Sequence, residues 1–204
     1  MARGRVVQHT VPDVSRIGVI ADTHMPPFDE VICSAVEEVF AGVDLILHAG
    51  DLVTRKVIEW LEGIAPVVAA RGNNDMHIPT DDQLADVHLF EVGGVRIGMT
   101  HILPNRRETV PPPVPELARR CGLDPVPDVW IFGDSHREIA EWRDGVLLLN
   151  PGSPTSPHLR VDLPGRVAIL TIAEGGPSAE IVSLPVPGQP GAREVRPAAG
   201  PSAW

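Results

Sequence analysis

Polar side chains with metal-binding chemistry follow five apolar, strand-like segments of this chain. The motifs are Asp22-Thr23-His24, Gly50-Asp51, Gly72-Asn73-Asn74-Asp75, His101 and Gly133-Asp134-Ser135-His136. They come directly after the apolar runs IGVIA, LILHA, VVAA, RIGMT and VWIF. Carboxylate, imidazole and amide groups bind divalent metal ions, and in open α/β sheets ligands collect at the carboxyl ends of strands. Five such motifs in series indicate one site, and they favour a two-metal hydrolytic centre.

The spacing of Asp22 and His24 would let both side chains reach one cation, and Asp134 and His136 repeat that spacing. At a strand end, positions i and i+2 point to the same side, so we expect Asp22 and His24 to share an ion. Asp51 has two carboxylate oxygens that could bridge two cations, or it could cap the helix that begins near Thr54. His48 lies inside an apolar run and is interpreted as a core histidine, beside the site at most.

Taken singly, each motif also has a purely structural interpretation as a loop cap, a sharp turn or a buried histidine. Taken together, they predict a shared-carboxylate site in which each of two ions receives four protein ligands. Positions would then remain open for water and substrate. The amide oxygen of Asn73 suits manganese, magnesium or iron. The predicted ligands are Asp22, His24, Asp51, Asn73, His101, Asp134 and His136.

The elements that must position these residues can be read from the apolar periodicity. In the first half, strands over 16–21, 43–49 and 66–70 alternate with helices over 29–41 and 54–61. That β-α-β-α-β order implies parallel strands. In the second half, Gly93-Gly94 predicts a hairpin, a short helix is expected near 116–121, and the strands are expected to be mostly antiparallel. The predicted strands of this half are 87–92, 95–100, 128–132, 138–142, 145–149, 166–173 and 179–184.

We therefore predict an α/β fold in which two mixed sheets pack face to face with helices outside. The domain is expected to span residues 15–184. Residues 1–14 are expected to form an irregular N-terminal arm. Residues 185–204 are rich in proline, glycine and alanine, and we expect a C-terminal tail without compact structure.

Composition narrows the function classes. The net charge is −10 and no basic stripe is visible, which argues against a nucleic-acid binder. No apolar run approaches the roughly 20 residues of a membrane span, and residues 1–14 lack the apolar core of a secretory signal. Cys33 and Cys121 fit a reducing compartment, so we expect a cytoplasmic protein. Homo-oligomerisation is left open.

The motif order resembles that of the calcineurin-like metallophosphoesterases over about residues 15–184. The order is D-x-H, G-D, G-N-x-D, H and G-x-x-H, followed by Asn150-Pro151-Gly152-Ser153. The resemblance is strongest to the small bacterial and archaeal phosphodiesterases, a family that includes the retromer sorting subunit of eukaryotes. It implies a four-layer α/β/β/α sandwich, in which the Asn150–Ser153 loop supports the site.

The resemblance also implies a ligand partition and a reaction. One ion would be held by Asp22, His24, Asp51 and His136, and the other by Asp51, Asn73, His101 and Asp134. A hydroxide bridging the ions would attack phosphorus in a small-molecule phosphate ester. Manganese is the favoured metal, with iron, nickel, magnesium and zinc as alternatives.

Four positions depart from the family pattern. Asp134 replaces a histidine and adds a third carboxylate, which favours a hard metal over zinc. Asn74 stands where larger phosphatases carry a proton-donating histidine, which favours activated or diester-like substrates. Ile102 replaces a glycine and would narrow the pocket. His158 stands where an arginine often follows the Asn150–Ser153 loop, with Arg160 nearby.

These departures shape the functional prediction. Asp51 and Asn74 are the implied catalytic residues, and Asn74, His158 and Arg160 the implied substrate contacts. The predicted function is a dinuclear-metal-dependent phosphodiesterase. The alternative is a non-catalytic or weakly active metal-binding interaction module on the same fold, and an enzyme acting on nucleic acid is a weaker third reading.

Overall fold

Within the described part of the chain, two β-sheets and three α-helices form the framework. The structure is a computed structural model, and it describes residues 4–11, 13–104, 112–185 and 194–198. The α-helices are α1 (Glu30–Phe40), α2 (Lys56–Glu62) and α3 (Val114–Arg120). The strands are β1 (Val6–Thr10), β2 (Arg16–Ile20), β3 (Leu45–His48), β4 (Val67–Ala70), β5 (Leu84–Ala85), β6 (Val87–Val92), β7 (Val95–Thr100), β8 (Val129–Ile131), β9 (Ile139–Arg143), β10 (Val146–Asn150), β11 (Arg166–Ala173), β12 (Gly176–Ser183) and β13 (Val195–Pro197).

The strands form one seven-stranded and one six-stranded sheet. The order in the seven-stranded sheet is β13-β12-β11-β2-β3-β4-β5. Its strands β2, β3, β4 and β5 run parallel to one another, whereas β11 pairs antiparallel with β2. The order in the six-stranded sheet is β1-β6-β7-β8-β10-β9, which is also mixed. The predicted pair of mixed sheets is confirmed.

Three apolar layers hold this framework together, and they establish the predicted four-layer sandwich. Strand residues alternate between faces, so Ile17 and Val19 pack between the sheets while Ile20 packs under α1 and α2. On the other side, α3 covers the six-stranded sheet through contacts with Trp130 and Leu148. The layers are therefore helices, sheet, sheet and helix.

Helix α1 illustrates how the sequence specifies these layers. The Asp29 carboxylate caps it by accepting hydrogen bonds from the backbone N–H groups of Val31 and Ile32, at 2.9 and 3.0 Å, as expected for an N-cap. Its buried residues recur at the helical period and face the seven-stranded sheet. They are Ile32, Ala35, Val36, Val39 and Phe40.

Two predictions about chain segments need correction. Residues 6–10 of the supposed irregular arm form β1, which pairs in parallel with β6. Residues 195–197 of the supposed tail form β13, which pairs antiparallel with β12. Both are edge strands. The burial of β1 alternates only between exposed and half-buried, and β13 is exposed throughout. Neither segment therefore carries the strong apolar pattern that identifies a strand.

The second half is also less antiparallel than predicted. Strand β8 pairs in parallel with both β7 and β10. The chain between β7 and β8 includes helix α3, and parallel neighbours require such a crossover connection. Among the described residues, no helix is long and apolar enough to span a membrane.

Candidate metal centre

The predicted ligands converge where strands of both sheets end. Asp22, Asp51 and Asn73 follow the parallel strands β2, β3 and β4 of the seven-stranded sheet. His101 and Asp134 follow the parallel strands β7 and β8 of the six-stranded sheet. The sheets are stacked, so their strand ends face each other across one site.

Left-handed backbone conformations aim several of these side chains. Asp22 and His24 have φ values of 52° and 46°, and Asp134 and His136 have values of 65° and 55°. Ligand atoms of Asp22 and His24 do lie close together, but not by the strand alternation used to predict it, because β2 ends before them. Asp134 and His136 instead approach different residues, His101 and His24. Non-glycine residues in this region are strained, and such strain clusters at functional sites.

One half of the site is formed by two facing histidines and two aspartates. The Nε2 atoms of His24 and His136 lie 3.1 Å apart. His24 Nε2 lies 3.5 Å from Asp51 Oδ2, and His136 Nε2 lies 3.8 Å from Asp22 Oδ1. Ligand atoms of Asp22, His24 and His136 all lie within 4.8 Å of one another, close enough to hold one ion.

The other half of the site surrounds His101. Its Nε2 lies 3.1 Å from Asn73 Oδ1, 3.4 Å from Asp51 Oδ1 and 4.0 Å from Asp134 Oδ1. Asp51 thus turns one oxygen towards His101 and the other towards His24. Its carboxylate stands between the two halves. It does not cap α2, because the residue before that helix is Arg55 and makes no side-chain cap.

Backbone carbonyls orient two of the histidines for ligation. His101 Nδ1 lies 2.7 Å from the carbonyl oxygen of Ala49, and His136 Nδ1 lies 2.9 Å from that of Ser156. A carbonyl can only accept a hydrogen bond, so each Nδ1 carries the proton. Each Nε2 is then directed into the site and can ligate a metal ion once it carries no proton, an arrangement typical of metal-binding histidines.

The electrostatics of the site fit a cation. Burial, with the charges of Asp51 and Asp134, raises the pKa of Asp22 to about 7. Its Oδ2 is buried and has no hydrogen-bond partner in the described part of the chain. Burial would lower the pKa of His101, but the hydrogen bond and charge of Asp51 raise it to about 9. A divalent ion would satisfy the unpaired oxygen and offset the carboxylate repulsion.

Asp75 is a supporting residue whose role the sequence did not reveal. Its buried Oδ2 accepts hydrogen bonds from the N–H groups of Asp51 and Gly72, both at 2.8 Å. Its Oδ1 accepts one from the N–H of Val53 at 2.7 Å. Gly72 is required here because a Cβ atom would overlap the backbone nitrogen and carboxylate of Asp51. The Gly72–Asp75 turn therefore fixes the loop that carries Asp51. The aspartate at the fourth position of this motif is the feature of the sequence that could have indicated the supporting role.

The loop after β10 supports the first half of the site, as predicted. Asn150 Nδ2 donates to the Gly133 carbonyl at 2.8 Å, and Ser153 Oγ donates to the Asp22 carbonyl at 2.8 Å. His48 is fully buried and fits the core interpretation: its Nδ1 accepts from the Gly50 N–H at 3.1 Å and its Nε2 lies 3.2 Å from Thr23 Oγ1.

The predicted substrate contacts have other partners in the structure. Asn74 Nδ2 donates to Asp51 Oδ2 at 2.7 Å, while its side chain is part of the exposed turn. His158 Nε2 lies 2.9 Å from Glu138 Oε2. Arg160 is exposed and donates from Nε to Asp162 Oδ1 at 2.9 Å. Of the three, Asn74 is the one tied directly to a predicted ligand.

A four-layer sandwich with acid and imidazole groups converging at its strand ends has the architecture of a metallophosphoesterase. A model of the calcineurin-like phosphoesterase superfamily domain matches residues 16–175. The chain belongs to this superfamily.

Relatives of known name agree with this assignment. The chain is 39% identical over 143 residues to a probable metallophosphoesterase of Methanothermobacter thermautotrophicus, covering 70% of this chain and 79% of that protein. It is 30% identical over 152 residues to a phosphodiesterase of Methanocaldococcus jannaschii, covering 67% and 82%. The fold is similar to that of vacuolar protein sorting 29 from Cryptosporidium parvum, with a TM-score of 0.71, 20% identity and coverage of 91% and 97%.

Proposed function

We propose that this protein is a metal-dependent phosphodiesterase with two divalent ions in one site. The observation that carries the proposal is the position of Asp51, whose Oδ1 lies near His101 and whose Oδ2 lies near His24. A carboxylate so placed can serve two ions at once. The 30% identity to an archaeal phosphodiesterase supports the same reaction class.

The ligand partition implied by the motif order is compatible with this geometry. Asp22, His24, Asp51 and His136 would hold one ion, and Asp51, Asn73, His101 and Asp134 the other. Bound ions of this kind polarise a phosphate ester and lower the pKa of water. Three carboxylates and an amide oxygen are hard ligands, and we therefore propose manganese.

The chain's own residues would hold the reacting groups in place. Asn74 donates from its backbone N–H to Asp51 Oδ1 at 2.9 Å and from Nδ2 to Asp51 Oδ2. These two bonds fix the plane of the Asp51 carboxylate. A primary amide cannot deliver a proton to a departing alkoxide, so the site favours phosphodiesters whose leaving group is stable as an anion.

Metal analysis combined with hydrolysis of bis(p-nitrophenyl) phosphate tests the proposal. We expect about two manganese ions per chain and manganese-dependent release of p-nitrophenolate. Asp51→Asn is expected to lower kcat/KM at least about a hundredfold, as for removal of a group that stabilises the transition state. Val6→Ser, on edge strand β1, is the control and is expected to keep wild-type turnover.

A manganese-loaded protein without hydrolysis, unchanged by Asp51→Asn, would overturn the enzymatic proposal. That result would instead favour a metal-binding interaction module. This alternative is compatible with Asn74, because an amide side chain cannot transfer a proton to a leaving group.

A further inference from the structure

Three exposed apolar residues lie on three different loops that also carry residues of the candidate metal centre or residues hydrogen-bonded to it. Met76 is 65% exposed, Ile102 45% and Leu159 74%. Exposed apolar groups that cluster at a site mark contact with a ligand or partner. Each of the three follows a site residue directly or is joined to one through its backbone, so we call them together the apolar rim.

Met76 shares a face with a predicted ligand. It ends the 3₁₀ turn Asn73–Asp75 with helical φ and ψ angles of −59° and −20°. Side chains at positions i and i+3 of a 3₁₀ turn are eclipsed, so Met76 lies on the face of Asn73. That face is directed to the site, because Asn73 Oδ1 lies 3.1 Å from His101 Nε2.

Ile102 follows His101 and is anchored to the core through its backbone. Its carbonyl oxygen accepts a hydrogen bond from Thr100 Oγ1 at 3.2 Å, and Thr100 Oγ1 in turn accepts one from Trp130 Nε1 at 2.9 Å. Trp130 is fully buried. The backbone at Ile102 is therefore anchored, and its exposed side chain lies at the surface one residue after His101.

Leu159 is joined to the opposite side of the centre. The carbonyl of Ser156 accepts hydrogen bonds from both His136 Nδ1, at 2.9 Å, and the N–H of Leu159, at 3.0 Å. Leu159 has a φ of 61°, a left-handed conformation that is strained for a residue other than glycine. The loop thus holds a strained leucine outward beside His136.

We propose that the apolar rim binds the organic, non-leaving substituent of the substrate and selects phosphodiesters in which that substituent is large and apolar. The inference rests on the proposed phosphodiesterase function. The centre would handle the charged phosphate, and the rim would cover the uncharged part. A monoester has no second organic group to fill this surface, so the rim also favours diesters.

Two diesters with the same leaving group isolate the contribution of the apolar rim to kcat/KM. Bis(p-nitrophenyl) phosphate and methyl p-nitrophenyl phosphate both release p-nitrophenolate but differ in the substituent that remains. For Met76→Ser, Ile102→Ser and Leu159→Ser we expect the ratio of their kcat/KM values, aryl over methyl, to fall about 3- to 10-fold each, the scale of one lost apolar contact. Val6→Ser, at a residue whose 46% exposure is close to the 45% of Ile102, is expected to keep the wild-type ratio.

The possible outcomes distinguish failure of the rim proposal from failure of the phosphodiesterase proposal. Hydrolysis of both diesters with an unchanged ratio in all three variants would overturn the rim proposal and leave the phosphodiesterase proposal standing. No manganese-dependent hydrolysis of either would overturn the phosphodiesterase proposal. If the rim instead joins two copies of this chain, the serine variants would shift sedimentation towards the monomer and lower both kcat/KM values equally, which would also overturn it.

Discussion

Asp22 carries a buried carboxylate oxygen that lacks a hydrogen-bond partner within the described residues. Burial and the neighbouring carboxylates raise its pKa from 3.8 to about 7. Since the folded-state pKa lies above the unfolded value, the metal-free protein loses stability as pH rises from about 4 to about 7. The site is therefore destabilised by the same ligand chemistry that prepares it for a cation.

Asp22→Asn is expected to remove this pH dependence in the metal-free protein. Relative to wild type, the free energy of unfolding of the variant is expected to rise between pH 4 and pH 8 by on the order of 2–4 kcal/mol. Urea unfolding in the presence of a chelator, repeated across this range, measures the difference. A wild-type-minus-variant difference that stays constant with pH would contradict the account of Asp22.

Asp75→Asn is expected to loosen the loop that carries Asp51. The carboxylate accepts three backbone hydrogen bonds, and an amide would place a donor against at least one of those N–H groups. Buried donors left unpaired cost about 1–3 kcal/mol each, so we expect the free energy of unfolding to fall by about 2–4 kcal/mol. Manganese affinity, measured by calorimetric titration, is expected to fall as well.

Asp81→Asn is the matched control for that change. Asp81 also accepts backbone hydrogen bonds, from Gln83 and Leu84, but its side chain is about half exposed. Water can replace a lost partner there, so both unfolding and manganese affinity are expected to stay close to wild type. Equal losses in the two variants would show that Asp75 has no special connection to the site.

At the scale of elements, the strongly apolar segments were predictable and the edges were not. Helix α1 and strand β11 follow from helical spacing and a continuous apolar run, and the structure confirms both. Strands β1 and β13 carry little apolar surface, and their pairing depends on neighbours distant in sequence. The same holds for the site. The candidate ligands could be predicted from their residue types, but the support by Asp75 could not, because it depends on where the fold places the turn.

Strand β6 contributes a histidine that ties the two sheets together. His88 is fully buried, and its Nε2 lies 2.8 Å from the carbonyl of Ala69 in β4 of the other sheet. Its Nδ1 lies 2.9 Å from His9 Nε2 in β1. Burial lowers the pKa of His88 to about 4. A folded-state pKa below the ordinary 6.5 means that stability is lost as pH falls through that range.

His88→Leu is expected to reduce this acid sensitivity. Wild-type protein is expected to lose about 2–3 kcal/mol through His88 between pH 6.5 and pH 4, and the variant is expected to lack that portion. At pH 7.5 the variant is expected to be less stable by about 1–2 kcal/mol, because it loses the hydrogen bonds of the imidazole. Chemical unfolding at several pH values checks both effects, with the exposed His77→Leu as control.

At the scale of the whole molecule, the candidate centre joins the two halves of the sandwich. In each of two sets, carboxylate and imidazole ligand atoms lie within 4.8 Å of one another, and each set combines residues that follow strands of both sheets. One set is Asp22, His24 and His136, and the other is Asp22, Asp51 and His101. An ion in either group would link strand ends that are otherwise held by apolar packing between the sheets. Metal binding should therefore stabilise the fold as a whole, and not only the loops of the site.

This linkage predicts that the rise in Tm on manganese binding decreases from wild type to His24→Ala to Asp51→Asn. At manganese about a hundredfold above Kd, wild type is expected to gain about 2.7 kcal/mol per ion, which raises Tm by roughly 5–10 °C per ion for a chain of this size. His24→Ala removes a ligand from one proposed ion and is expected to keep about half of the shift. Asp51→Asn weakens both ions and is expected to lose nearly all of it.

Metal counts on the same samples distinguish a shared carboxylate from two independent sites. If Asp51 serves both ions, its substitution removes both, whereas His24→Ala leaves one bound. If Asp51→Asn instead keeps one ion and half of the Tm shift, the carboxylate belongs to a single ion and the bridging role is wrong. Because the two oxygens of Asp51 face His24 and His101 at 3.5 and 3.4 Å, the geometry favours the loss of both.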